Sequence, residues 1–217
     1  ENHMKYLSHS ALYAGALGVA IMAATTGAAL AQDKSVTIGL TSDPSHLYPL
    51  AGEELSSNIM YYHLYDPLVK RSAELEFGPG LAESWETVNE TTWRFKLREG
   101  VTFHDGTPFN ADAVAFNIDR VQNHPNTKVP ADLASIESVE IIDDLTIQLN
   151  LNRPDSGVVG ILADRAGMMV SPTAAEAADE QQLNNTPVGT GPFKLAEYSE
   201  GDRLLVERNE DYWQEGL

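Results

Sequence analysis

None of the 217 residues is a cysteine. That absence excludes disulfides, thiolate nucleophiles, cysteine-bound zinc and lipid attachment through an N-terminal cysteine. Basic side chains are also scarce: 14 Lys and Arg stand against 32 Asp and Glu, a formal charge of −18. Such a surface repels phosphate backbones and anionic lipid, so neither nucleic acid nor a membrane surface is an expected partner. His46, His63, His104 and His124 show neither HxxxH nor HExxH spacing, and no Gly-x-Ser-x-Gly elbow occurs. Both absences argue against the common zinc and serine hydrolases. No cofactor is expected.

Long apolar runs are missing too, except near the amino end. There Lys5 precedes an uncharged stretch from Ala11 to Ala24, followed by Ala29-Leu30-Ala31. A basic start, a short apolar core and small residues at Ala29 and Ala31 are the layout of a secretory signal. The strongly apolar part is shorter than the roughly 20 residues a spanning helix needs. Residues 4–31 are therefore expected to be a signal peptide cleaved after Ala31. Residues 1–3 lie upstream of the natural-looking start at Met4, and 32–217 form the mature, exported part. Losing Lys5 and Glu1 leaves the mature charge at −18. Acidity of this size favours solubility, and the mature length is sufficient for a real core.

Along the mature part, Ser35-Val36-Thr37-Ile38-Gly39-Leu40 reads as a first strand, followed by a polar loop with Asp43-Pro44 and Tyr48-Pro49. Residues 55–65 read as helix. Residues 92–98 alternate strictly, with Trp93, Phe95 and Leu97 on one face and Arg94, Lys96 and Arg98 on the other, the signature of a half-buried strand. Asp105-Gly106 predicts a turn, and Asn110 a cap for a helix carrying Val114, Ile118 and Val121. Period two returns over 138–151, where Asp143-Asp144 joins two arms of a hairpin. A short helix is expected over 155–163, a short strand over 168–170, a helix over 172–182 with Pro172 in its first turn, and a last hairpin pairing 193–198 with 204–207. The order is mixed α+β, with antiparallel hairpins in place of a regular βαβ series.

Several ordered motifs add a resemblance. Gly80-Leu81-Ala82-Glu83-Ser84-Trp85-Glu86 is followed by Trp93-Arg94-Phe95-Lys96-Leu97-Arg98-Glu99-Gly100-Val101-Thr102-Phe103-His104-Asp105-Gly106-Thr107-Pro108-Phe109. Tyr65-Asp66-Pro67-Leu68-Val69, Ser171-Pro172, Pro187-Val188-Gly189-Thr190-Gly191-Pro192-Phe193 and Arg208-Asn209-Glu210-Asp211-Tyr212-Trp213 complete the set. Together they resemble the family 5 extracellular solute-binding proteins, the oligopeptide, dipeptide, glutathione and nickel receptors of ABC importers. The resemblance implies a periplasmic binding-protein fold of type II: a larger lobe with an extra antiparallel subdomain, the second lobe lying beyond this truncated stretch. It also implies a monomeric receptor that captures a peptide or similar small solute without transforming it and delivers it to ABC permease subunits in the inner membrane. A metal chelate, a sugar or an opine-like solute is the runner-up ligand.

Arg165 is the expected ligand-binding residue, because its planar guanidinium can pair bidentately with a ligand carboxylate. A surface ion pair, for instance with Asp164, is the plainer alternative. Asp43, Ser57 and Asn58 resemble the loop-and-helix region that faces the cleft in the family, and Asp43 would suit a peptide amine. The alternation through Trp93 argues that Trp85 and the 93–109 aromatics are core and not a ligand platform. Gly189-Thr190-Gly191-Pro192 lacks the lysine and spacing of a phosphate loop and reads as a structural turn. The rival function is a secreted hydrolase of peptides or esters, resting on His104-Asp105. Adjacent residues on an extended segment point to opposite sides, which favours a turn there.

Overall fold

The computed structural model describes residues 35–52 and 54–216. The expected signal peptide and its cleavage site lie outside them. The chain divides into two units, Glu1–Ile38 and Gly39–Leu217, and the fold below is that of the second.

Helix α1 (Leu55–Leu64) buries Ser56, Ser57, Met60, Tyr61 and Leu64 along one face. Two short strands follow, β1 (Val69–Arg71) and β2 (Phe77–Pro79), paired antiparallel. Strands β3 (Ala82–Asn89), β4 (Thr92–Leu97), β5 (Ile136–Asp143) and β6 (Thr146–Leu151) form one antiparallel sheet in the order β3-β4-β6-β5. The two inner strands carry its buried face: Phe95 pairs with Ile147 and Trp93 with Leu149, and Phe95, Ile147 and Leu149 are wholly buried. The edge strands β3 and β5 are mostly exposed, acidic and interrupted by register shifts, features that discourage edge-to-edge aggregation.

Helix α2 (Ala111–Asn123) packs on β5, and its Val114, Ile118 and Val121 are buried. Asn110 caps it as expected, its Oδ1 accepting from Ala113 N at 3.1 Å. Pro125 explains where it stops, because the residue before proline is driven out of the helical region, and His124 is extended at φ −67°, ψ 130°. Asn110→Ala should cost about 1 kcal/mol, measurable as a lowered denaturant midpoint with an unchanged slope.

Helix α3 (Val158–Ile161), a 3-10 turn (Arg165–Gly167), α4 (Pro172–Ala177) and α5 (Glu180–Asn185) lead to the hairpin of β7 (Phe193–Ser199) and β8 (Arg203–Arg208). The aromatic segment is core, as expected. Phe95, Phe103 and Phe109 are buried, while Trp85 and Trp93 pack half-buried against them.

Three expectations need correction. Residues 35–40 form no strand; Val36 and Ile38 are exposed in a chain with no ladder partner among the described residues, and alternation without a partner does not make a strand. The helix expected over 172–182 is two helices, because Ala178 is extended and Asp179 starts a new one. A capping box outcompetes helix continuation there: Asp179 Oδ1 accepts from Gln182 N at 2.8 Å, and Gln182 Oε1 accepts from Asp179 N at 2.9 Å. Residues 168–170 are extended and buried but make only an isolated bridge from Met168 to Pro67. Their amides are satisfied singly: Met169 N donates to Asp66 O and Val170 N to Asn117 Oδ1.

Candidate functional site

Beside α1 lies a cavity of about 450 Å³, lined by Asn58, Asp132, Gly157, Gly160, Ile161, Asp164 and Arg165. Its size is that of a small-molecule pocket. Arg165 begins the 3-10 turn, and Asp164 caps that turn by accepting from Arg165 N at 2.7 Å. Arg165 Nη1 donates to Gly52 O at 3.1 Å, and none of the ion pairs among the described residues includes Arg165. The plainer alternative of a pair with Asp164 is therefore not what the fold builds. Asp164 meets its neighbour through the backbone.

The loop that supplies Gly52 is itself pinned. Tyr61 hydroxyl donates to Tyr48 O at 3.1 Å and Tyr65 hydroxyl to Leu47 O at 3.0 Å. Burial pushes the Tyr61 phenol up to about 12, so it remains a donor at neutral pH. Ser57 and Asn58, neighbours on α1, diverge. Ser57 is wholly buried and accepts from His46 N at 3.3 Å, whereas Asn58 is among the residues lining the cavity, its Oδ1 shielded from solvent and accepting no hydrogen bond. Asp43 lies elsewhere. Its Oδ2 accepts from Gly201 N at 2.7 Å and from Tyr198 hydroxyl at 3.3 Å, tying the 43–44 loop to the β7–β8 turn. Of the four expected residues, then, Asn58 and Arg165 share a cavity, Ser57 supports it from below, and Asp43 engages a hairpin. Asp132 and the glycines Gly157 and Gly160 were not foreseen, since no motif marks a polar loop residue whose neighbours arrive from distant segments.

His104 and Asp105 form the expected turn, with Gly106 at φ 82° and Gly106 N donating to Phe103 O. Both ring nitrogens of His104 are engaged by the Gly189–Gly191 loop: Nε2 contacts Gly191 O at 3.0 Å and Nδ1 accepts from Gly189 N at 3.3 Å. A carbonyl can only accept, so the proton resides on Nε2. Asp105 turns away to Ser171 Oγ at 2.5 Å and Thr107 Oγ1 at 2.6 Å. Burial works to raise its carboxyl, but these hydroxyls and backbone amides outweigh it and hold the group below the usual carboxylate range. No nucleophile, base and orienter are aligned there, so the arrangement gives the hydrolase alternative no support.

Burial lowers the His104 pKa, with Lys194 adding to the effect and the Gly191 carbonyl, Asp66 and Asp105 opposing it. The native state thus favours neutral imidazole more than the unfolded chain does. Its contribution is complete above the unfolded value of about 6.5 and is lost as pH falls from there through the lower folded value. Denaturant midpoints followed from pH 7.5 to 5 should fall more steeply in the parent protein than in His104→Asn; parallel curves would refute this assignment.

A four-stranded antiparallel sheet, the helices around it and a cavity lined by charged residues beside α1 make up the described fold, which matches type II-like periplasmic binding proteins. Residues 76–217 match the model of the bacterial extracellular solute-binding proteins, family 5 (middle), and the chain belongs to that family. The glutathione-binding protein GsiB of Shigella flexneri is 35% identical over 210 residues, 96% of this chain and 40% of that protein. MoaA from A. tumefaciens R10, solved with mannopinic acid, superposes with a TM-score of 0.74 at 27% identity over 79% of this chain and 36% of its own. The ABC transporter-associated periplasmic binding protein DppA of Helicobacter pylori, solved with the peptide STSA, gives 0.71 at 26% identity over 80% and 38%. The chain spans about 40% of the length of the curated relatives it matches. Among the described residues no helix is long and apolar enough to cross a membrane.

Proposed function

We propose that this chain is part of a periplasmic receptor that captures a peptide or similar small carboxylate and passes it, chemically unchanged, to the permease subunits of an ABC importer. The cavity that brings Arg165 together with Asn58 carries this reading. One guanidinium nitrogen is fixed on Gly52 O, which orients the fork so that a ligand carboxylate can take the remaining donors. Glutathione, a peptide and mannopinic acid, named with the relatives above, are all acids, which fits an arginine at the centre of the site. Export with cleavage after Ala31, action as a monomer and absence of catalysis belong to the same proposal. The acidic surface favours a soluble protein and disfavours nucleic acid.

Arg165→Gln in the full-length protein tests it. Losing a charge-assisted contact of roughly 1.5–3 kcal/mol should weaken solute binding about 10- to 100-fold in calorimetry. Thermal-shift screening of peptides, amino acids, sugars and metal chelates identifies the solute, because a ligand bound only by the folded state raises the transition. An unaltered affinity in the variant would remove this cavity from the solute site.

A further inference from the structure

We propose that Tyr61 is a positioning residue for the solute site: its hydroxyl fixes the Gly52 carbonyl that orients Arg165, and this buried contact sets how strongly the cavity prefers an acid to its neutral amide. The inference rests on the solute-binding reading above and extends selectivity to residues outside the cavity wall. Three observations carry it.

The first is that the carbonyl meeting Arg165 Nη1 ends a loop, residues 47–52, that is buried throughout. The loop is fastened at successive points: Tyr48 O accepts from Tyr61 hydroxyl and from Ala51 N, both at 3.1 Å, and Leu50 O accepts from Lys128 N at 2.9 Å. The second is close approach. A β-carbon on Gly52 would overlap the Tyr61 hydroxyl oxygen and press on His46 Cβ at 3.2 Å and Ser57 Cβ at 3.3 Å. Only hydrogen fits there, so the backbone of residue 52 lies directly on the hydroxyl and a shift of one displaces the other. The third is electrostatic. Burial above all, with Glu54 adding to it, raises the Tyr61 phenol, while the Ser57 hydroxyl, the Gly52 amide and the Arg165 charge oppose the rise. The guanidinium is thus near enough to act on the phenol. Arg165 makes no ion pair among the described residues, which leaves Gly52 O to give the fork its direction. A bidentate pair depends on the plane of the fork as well as on its charge, so loss of this support should weaken an acid and spare an amide that makes no such pair.

The test uses calorimetry on the full-length protein with Ala-Ala and reduced glutathione, each compared with the amide of its C-terminal carboxylate. Parent protein should bind the acid of at least one pair about tenfold or more tighter, and Arg165→Gln should bring that ratio close to one. Tyr61→Phe keeps the ring and removes only the hydroxyl; it should cut the ratio by about threefold or more through weaker acid binding, with amide affinity held. A residue that merely supports the fold would lower both members alike. Gly52→Ala, checked for folding by circular dichroism, should cut the ratio too. Adding Tyr61→Phe to it should cost little more, because the two changes break the same contact. An unaltered ratio in Tyr61→Phe, or in folded Gly52→Ala, overturns this inference while the loss in Arg165→Gln still marks the carboxylate site. If Arg165→Gln leaves the ratio as it was, or no probe binds the parent protein with a preference for the acid, the underlying reading fails and takes the inference with it.

Discussion

Asp66→Ala should destabilise the protein by about 3–5 kcal/mol, the cost expected when one partner of a buried charge cluster is removed. Asp66 is 2% exposed. Its Oδ1 accepts from Tyr212 hydroxyl at 2.9 Å and lies 3.1 Å from Lys70 Nζ, while Oδ2 accepts from Trp213 Nε1 at 2.9 Å and Thr190 Oγ1 at 3.3 Å. Burial above all, and then the charge of Asp66, push the Tyr212 phenol far above its ordinary value, so it stays a donor throughout the accessible pH range. Alanine would take this acceptor from Tyr212, Trp213 and Thr190, each orphan costing about 1–3 kcal/mol where water cannot replace the carboxylate, while Lys70 would keep Tyr212 Oη and Gln214 Oε1. Lys70 also stands 4.6 Å from the Trp213 ring centroid and Arg98 4.2 Å from it, contacts that depend on the tryptophan staying in place. Asp66→Asn keeps the volume and one acceptor, so its loss should be smaller. Chemical denaturation of both variants decides the matter: a loss below about 1 kcal/mol for Asp66→Ala would show that the cluster is incidental to stability.

That cluster also explains why the family was legible before any coordinates. Tyr65-Asp66-Pro67, Gly189-Thr190-Gly191 and Asn209 to Trp213 are far apart in sequence yet meet at one carboxylate, so each motif is a piece of a single buried network. Local elements were legible for a simpler reason. Alternation across Trp93, Phe95 and Leu97 and the Asn110 cap act within a few residues, where pattern and geometry coincide. The failures have one origin. Residues 35–40 have a strand's pattern without a partner, the 172–182 helix yields to a capping box at Asp179, and 168–170 take their hydrogen bonds from Asp66 and Asn117.

The site was legible in part for the same reason. Arg165 stands out because its planar guanidinium can pair bidentately with a ligand carboxylate, and Asn58 follows from the family pattern. Asp132 reaches the same cavity only through the packing of its turn under Gln122, which no spacing in the sequence encodes. Asp43 shows the converse. Its carboxylate looks suited to a peptide amine in the sequence, yet in the fold it fastens the β7–β8 turn through Gly201 N.

Gly191→Ala is expected to be as severe as the loss of many larger side chains, at about 3 kcal/mol. A β-carbon there would lie 2.5 Å from Leu64 C, 2.6 Å from His63 O and 2.7 Å from Tyr65 N, all backbone atoms at the end of α1 that no rotamer change can clear. Moving the loop instead would strain three contacts at once: Gly191 N to Leu64 O at 3.1 Å, His104 Nε2 to Gly191 O at 3.0 Å and Asn209 Nδ2 to Gly191 O at 3.1 Å. Gly201→Ala supplies the control. Gly201 has φ +75° but open space around its missing β-carbon, so only the left-handed backbone is penalised, by about 1 kcal/mol. A gap of roughly 2 kcal/mol between the two variants in denaturant unfolding would identify close backbone approach, and not glycine's flexibility, as what position 191 requires. Equal losses would refute that. Because the obstructed backbone ends the helix that presents Asn58, Gly191→Ala should also weaken solute binding, whereas Gly201→Ala, at the tip of the β7–β8 hairpin, should leave affinity unchanged.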